Sequence, residues 1–93
     1  MHVIWTEPAL DDIERAHDYL VDFNPRAATR VAEGLRAAGD SLEHFPDRGR
    51  RVPGTGMREL VTSHPYIIRY RIAGDTVVIL RVRHTSRRHD TAP

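Results

Sequence analysis

The sequence predicts an α+β domain in the order β-α-α-β-β-β, an antiparallel αα-hairpin packed on one face of a largely antiparallel sheet. Apolar residues at helical spacing fill the first half, alternation at strand spacing takes over from residue 57, and turn-forming clusters separate the segments. Ninety-three residues suffice for one core, so the whole chain 1–93 reads as a single domain with a flexible tail at 85–93.

His2-Val3-Ile4-Trp5 is short, β-branched and aromatic, which suits a strand. Thr6 then caps a helix that carries Glu7 and Pro8 in its first turn, where a missing N–H does no harm. Leu10, Ile13, His17, Leu20 and Val21 follow the spacing of its buried face; Asp11, Asp12, Glu14, Arg15, Asp18 and Asp22 fall mostly opposite. Asn24-Pro25 closes this helix and opens the next. There Ala28, Val31, Leu35, Ala38, Leu42 and Phe45 form one seam that runs until Pro46, with Gly34 and Gly39 off it.

Asp47 to Gly56 reads as a loop or short edge strand, because Pro53 cannot sit in a central strand. Strands are predicted over 57–62, 66–72 and 76–83, with turns at Ser63-His64-Pro65 and Ala73-Gly74-Asp75. The parity of the last turn decides where the arginines point. A three-residue turn sets position 70 opposite 78 and 69 opposite 79. Tyr66, Ile68, Tyr70 and Ile72 then share the core face with Val78, Leu80 and Val82. The opposite face holds Arg69, Arg71, Arg81 and Arg83 among Ile67, Val77 and Ile79. A two-residue turn would scatter the arginines and bury some, at high cost, so the odd turn is the expectation. The face away from the helices is thus basic and apolar together, which reads as a binding face; a solvated strand face is the plain alternative.

Composition narrows the function classes. An apolar fraction of 40% and a charged fraction of 29% are those of a folded water-soluble chain. No apolar run approaches the roughly 20 residues of a membrane helix, and no signal-peptide pattern opens the chain. With no cysteine, disulfide frameworks, thiolate metal sites and thiol nucleophiles are excluded, and a cytoplasmic location is expected. The net charge of +1 conceals a segregation: residues 1–45 hold four arginines against nine acids, residues 46–93 ten against four. Every basic residue is Arg, whose planar fork suits carboxylate or phosphate, so the second half is where an anionic partner is expected.

Familiar catalytic patterns are missing. The six histidines show neither HExxH nor paired i, i+4 spacing; Glu14, His17 and Asp18 share a helical turn but read as a solvated acidic face with one histidine against the core. Pro53-Gly54-Thr55-Gly56 lacks the Lys and following helix of a phosphate loop, and a triad of Ser63, His64 and Asp75 is one that almost any chain permits on paper. No metal or other cofactor is expected. Arg81, Arg83, His84, Arg87, Arg88 and His89, within nine residues, can contact several phosphates or an acidic peptide, although no aromatic stacking partners accompany them.

The element order and several local strings resemble the ParE/RelE superfamily of bacterial toxins from type II toxin–antitoxin modules, over nearly the whole chain. The strings are Val3-Ile4-Trp5, Pro8-Ala9-Leu10-Asp11-Asp12-Ile13, Asn24-Pro25-Arg26-Ala27-Ala28, Arg58-Glu59-Leu60, Tyr66-Ile67-Ile68-Arg69-Tyr70-Arg71 and Val78-Ile79-Leu80-Arg81-Val82-Arg83-His84. The resemblance implies a small toxin held inactive, in a hetero-oligomeric complex, by a cognate antitoxin whose C-terminal segment lies over it as a helix and extended chain.

The superfamily contains two activities. RelE-like members are ribosome-dependent mRNA endonucleases; Arg58 and Arg87 match basic positions of that pattern, and His84 matches a His-Tyr strand ending of a related subgroup. Against this, Leu60 stands where a second Lys is expected, Ile67 where an Arg normally follows the strand-opening Tyr, and Thr85 where the Tyr follows the His. ParE-like members, which poison DNA gyrase, lack that set, and the Arg81-Val82-Arg83-His84 ending is closer to theirs. The expectation is a non-catalytic gyrase inhibitor, with Arg81, Arg83, Arg87 and Arg88 on the target, His84 near the strand end, and Arg69 and Arg71 paired with acidic groups of the antitoxin. The alternative is a metal-independent endoribonuclease acting on the ribosome's mRNA, with Arg58 and Arg87 stabilising phosphate charge and His84 moving a proton. A third reading is a nucleic-acid-binding module without toxicity. Arg58 can face either side of its strand, since Leu60 and Val61 are both buriable.

Overall fold

The computed structural model describes residues 1–63 and 65–86. The chain runs β1 (His2–Trp5), α1 (Glu7–Val21), α2 (Pro25–Asp40), one 3₁₀ turn (Ser41–Glu43), β2 (Arg50–Arg51), β3 (Arg58–Val61), β4 (Tyr66–Ala73) and β5 (Thr76–His84). The strands form one sheet in the order β1-β5-β4-β3-β2, with β1 parallel to β5 and every other pairing antiparallel. Both helices pack on one face, over a core of Leu35, Leu42, Leu60, Tyr66, Ile68, Tyr70, Val77, Ile79 and Val82.

The helix starts lie where the caps place them. Thr6 Oγ1 accepts the Ala9 N–H at 3.3 Å while donating to the Ile79 carbonyl at 2.7 Å, so one hydroxyl both caps α1 and fastens it to β5. Asn24 Oδ1 accepts the Ala27 N–H at 3.1 Å and caps α2.

The buried face of α1 is rotated from the expected one. Ala9, Asp12 and Ala16 are buried with Ile13 partly so, whereas Leu10 is 40% exposed. The two alanines bring the α1 backbone close to the sheet, and Asp12 has hydrogen-bond partners inside. The α2 seam also changes at its end. Ala28, Leu35 and Leu42 are buried as expected, but the helix tightens to 3₁₀ at Ser41, which alters the turn per residue and leaves Phe45 60% exposed. Gly39, expected off the seam, lies beneath Trp5, where an added Cβ would overlap the indole and come 2.8 Å from Ile79 Cδ1.

The expected three-residue turn between the last strands is not present. Ala73 pairs with Thr76, so the turn is Gly74-Asp75 alone, with φ +61 at Gly74 and no positive φ at Asp75, the sign pattern of a type II′ hairpin. Ile72 pairs with Val77, Arg71 with Val78 and Tyr70 with Ile79, which puts Val77 and Ile79 in the core and Val78 on the open face, the reverse of the expected assignment. A bulge then intervenes: Arg69 pairs with Arg81, leaving Leu80 unmatched. The extra residue restores the parity that the short turn removed, so Ile68 meets Val82 in the core and Ile67 meets Arg83 on the open face.

Candidate functional site

Strand register lays the open face out as three rows, because directly paired residues point to the same side of a sheet. The first row crosses Val61, Ile67 and Arg83. The second crosses Arg50, Glu59, Arg69 and Arg81. The third crosses Arg71, Val78 and Ile4. Two mixed aliphatic and basic rows therefore flank one row of charges. Ile4 and Val61 are 52% and 63% exposed, so the face offers apolar surface beside its guanidinium groups.

The middle row is internally paired. Glu59, 13% exposed, receives Arg69 Nε at 3.1 Å and Nη2 at 2.6 Å on the same oxygen, Oε2, while Oε1 lies 3.6 Å from Arg50. Arg81 instead engages Asp12 of α1 through both carboxylate oxygens, Nε to Oδ2 at 2.8 Å and Nη2 to Oδ1 at 3.0 Å. Asp12 Oδ2 also accepts the Val82 N–H at 2.9 Å. Pairing of β1 with β5 stops at Ile79, so the carboxylate serves a backbone group on a stretch of β5 edge that β1 does not reach. The bond to Asp12 raises the pKa of Arg81 above the ordinary arginine value. Burial, then the neighbouring charges of Arg69 and Arg81, lower that of Arg83.

The structure separates the expected site residues. Arg69, Arg71, Arg81 and Arg83 share the open face, with Arg71 exposed and Arg81 committed to Asp12. Arg58 pairs with Tyr70 and so faces the core side. Its Nη1 donates to the Gly49 carbonyl at 2.8 Å, its Nη2 is 3.4 Å from Asp47, and its side chain is only 18% exposed. Tyr70 Oη takes the Gly49 N–H at 2.8 Å and donates to the Pro46 carbonyl at 2.7 Å, so Arg58 and Tyr70 together hold the segment leading into β2. His84 pairs with Tyr66, with ring centroids 5.1 Å apart, and its Nδ1 accepts the Ser86 N–H at 3.1 Å. Arg58 and His84 thus stand four residues apart along the strands and two strands apart across them, a backbone separation of roughly 16 Å. Arg87, Arg88 and His64 lie outside the described residues.

Glu59, Ile67, Arg69, Arg83, His84 and Thr85 line a shallow recess of about 180 Å³ at one end of the open face. Among the described residues, no group of three His, Asp or Glu is placed to hold a metal ion, and no helix is long and apolar enough to cross a membrane. Sequence reasoning missed both acids of this face. The side of Glu59 follows from the burial of Leu60, which the structure supplies and the sequence, with Leu60 and Val61 both buriable, leaves open. Asp12 had a weak signal, the Ala9, Asp12, Ile13, Ala16 spacing of a second helical stripe.

Residues 3–89 match the family described as ParE toxin of type II toxin-antitoxin system, parDE. Toxin RelE2 of Caulobacter vibrioides is 47% identical over 91% of this chain and 96% of its own length, and Toxin RelE1 of the same organism is 42% identical over 78% and 81%. A solved chain from the chromosomal ParDE system of P. aeruginosa superposes with a TM-score of 0.84 at 23% identity, covering 92% of this chain and 97% of that one. A chain of the RelBE2 toxin-antitoxin complex of Mycobacterium tuberculosis superposes at 0.55 with 26% identity, covering 89% and 95%. Solved chains from systems of either name share the fold. With a family match over most of its length, this chain belongs to the ParE toxin family of type II toxin–antitoxin systems.

Proposed function

We propose that the protein is a ParE-like toxin that inhibits DNA gyrase by binding, without bond-making chemistry of its own, and that its antitoxin neutralises it by covering the open sheet face. The observation that carries this reading is the position of Arg58. A nuclease built from Arg58 and His84 needs both at one phosphate, yet Arg58 is tied to Gly49 and Asp47, and its backbone stands roughly 16 Å from that of His84 on the same side of the sheet. Arg71 and Arg83, with Ile67, Val78 and Ile4 beside them, supply charge and apolar contact for protein partners. The test is gyrase-catalysed supercoiling and plasmid cleavage with purified toxin, where inhibition and trapped cleaved plasmid are expected.

The RelE names of the Caulobacter relatives favour a second reading, a ribosome-dependent mRNA interferase. It predicts mRNA cuts at codon spacing that require ribosomes, and no effect on gyrase.

A further inference from the structure

We infer that the C-terminal segment 87–93 is a strap: Arg87 or Arg88, the two residues that follow Ser86, seats its guanidinium against Tyr19 and Phe23 under the last turn of α1. The strap belongs to the free toxin, whatever target that toxin acts on, and it replaces the flexible tail that the polar composition of 85–93 suggests. Three observations carry it.

The last turn of α1 overhangs the sheet. Thr6 reaches the carbonyls of Ile79 and Leu80, and Asp12 reaches Arg81 and Val82, so α1 advances along β5 in the strand's own direction. Tyr19 comes seven residues after Asp12, within about 20° of two whole turns, and so keeps the angular position that Asp12 turns toward β5. Helix rise carries Tyr19 roughly 10 Å past Asp12, whereas β5 ends at His84, roughly 7 Å past Val82. Phe23 stands further out and meets Tyr19 edge to face, with ring centroids 6.1 Å apart. Tyr19 is 54% exposed and Phe23 76%, so the overhang presents a broad aromatic surface.

The same turn calls for a cation. Asp18 and Asp22 stand at the C-terminal end of α1, where the helix dipole already concentrates negative charge, and the turn carries no basic residue. The flanking arginines are directed elsewhere: Arg15 lies 3.6 Å from Asp12, and Arg26 lines the outer face of α2 with Thr29 and Glu33. Aromatic rings beside carboxylates suit a guanidinium, which stacks on a ring face while donating to an oxygen.

The chain delivers that group to the right place. The Thr85 N–H donates to the Pro65 carbonyl at 2.9 Å, which fixes where the chain leaves the sheet. A segment that keeps the rise of a strand brings residue 87 roughly 17 Å past Val82, level with Phe23, which helix rise sets roughly 16 Å past Asp12. Arg87 and Arg88 are the first basic residues after β5.

The test is NMR on the full chain, with trypsin as a second reading. In wild type, the δ-methylene protons of Arg87 or Arg88 should be shifted upfield by the rings and show nuclear Overhauser contacts to Tyr19 or Phe23. The double variant Tyr19→Leu, Phe23→Leu keeps apolar bulk at two exposed positions. It should return those shifts to free-chain values and speed cleavage after Arg87 about five-fold, with the melting temperature held. Phe23→Tyr should keep the slow rate, and Asp22→Asn should fall between. Free-chain shifts for both arginines in wild type, or equal cleavage rates in wild type and the double variant, would overturn the inference. So would contacts seen only between differently labelled copies, the result expected of a dimer. Neither reading uses gyrase or ribosomes, so these outcomes and those of the target assays are independent.

Discussion

Asp12 and Arg81, 69 positions apart in the chain, form a two-pronged ion pair that also closes the edge of the sheet, because the same carboxylate accepts the backbone N–H of Val82. The pair lies just beyond the bulge at Leu80, where β1 has ended and α1 takes over its side of β5. It fixes the strand segment that carries Arg83 onto the open face.

Replacing Asp12 by Ala should therefore be among the more damaging changes in α1. It leaves a buried N–H without its acceptor and Arg81 without its counter-charge. Since Arg81 is 31% exposed and can regain water, the expected cost is about 2–4 kcal/mol rather than that of a fully buried pair. In a domain of this size that lowers the melting temperature on the order of 10–25 °C in calorimetry. Asp12→Asn, which keeps an acceptor for Val82, should lose less.

Gly39→Ala tests how closely α2 approaches Trp5. The added methyl collides with the indole and with Ile79, so a loss of about 1–3 kcal/mol is expected despite the better helix propensity of Ala. Gly56→Ala, with open space around its Cβ position, should change stability by no more than a few tenths of a kcal/mol. Trp5 is the only tryptophan, so its fluorescence reports the disturbance at Gly39 directly.

Tyr70 gives stability an alkaline limit. Burial pushes its phenol above the usual value of 10, although the Gly49 N–H opposes the shift. The neutral form is thus favoured in the folded chain. Its contribution is fully present below about pH 10 and is lost as pH rises from there through the higher folded value. Urea titrations at rising pH should show that decline, and Tyr70→Phe should flatten it. The same variant should cost about 1–3 kcal/mol at neutral pH, where the Gly49 N–H and Pro46 carbonyl lose their partner.

These residues also mark how much was legible in the sequence. Caps and period changes gave the element order and most boundaries, because Thr6, Asn24, Pro25 and the alternation after residue 57 act locally. The final turn was misread because the parity argument assumed an unbroken strand. A bulge has no signature of its own in the sequence, yet the one at Leu80 compensates for the two-residue turn and keeps four arginines together. Asp12 was misplaced for a related reason: its buried partners come from residues 81 and 82, and nothing near it in sequence announces them. Gly39 falls off the seam in the sequence pattern, whereas the structure sets it against Trp5, which leaves no room for a Cβ there.

Toxicity should separate the arginines by how committed each is. Arg83→Ala should reduce growth inhibition, since alternation sets it opposite Ile67 on the open face, where its guanidinium is half-buried. Arg81→Ala should reduce both growth inhibition and melting temperature, because it breaks the Asp12 pair. His84→Ala should have the smallest effect on toxicity if the protein acts by binding; the reverse ranking indicates proton transfer. Expression titrations in a host without the antitoxin, read beside thermal melts, check all three.

The central claim is that a binding surface, and not a nuclease site, does the harm. Purified toxin should be added to gyrase with relaxed plasmid and, in parallel, to a coupled translation reaction. The account predicts blocked supercoiling with cleaved plasmid trapped on gyrase, mRNA left whole, and both gyrase effects lost with Arg83→Ala. Codon-spaced mRNA cuts alongside unimpaired supercoiling would contradict it.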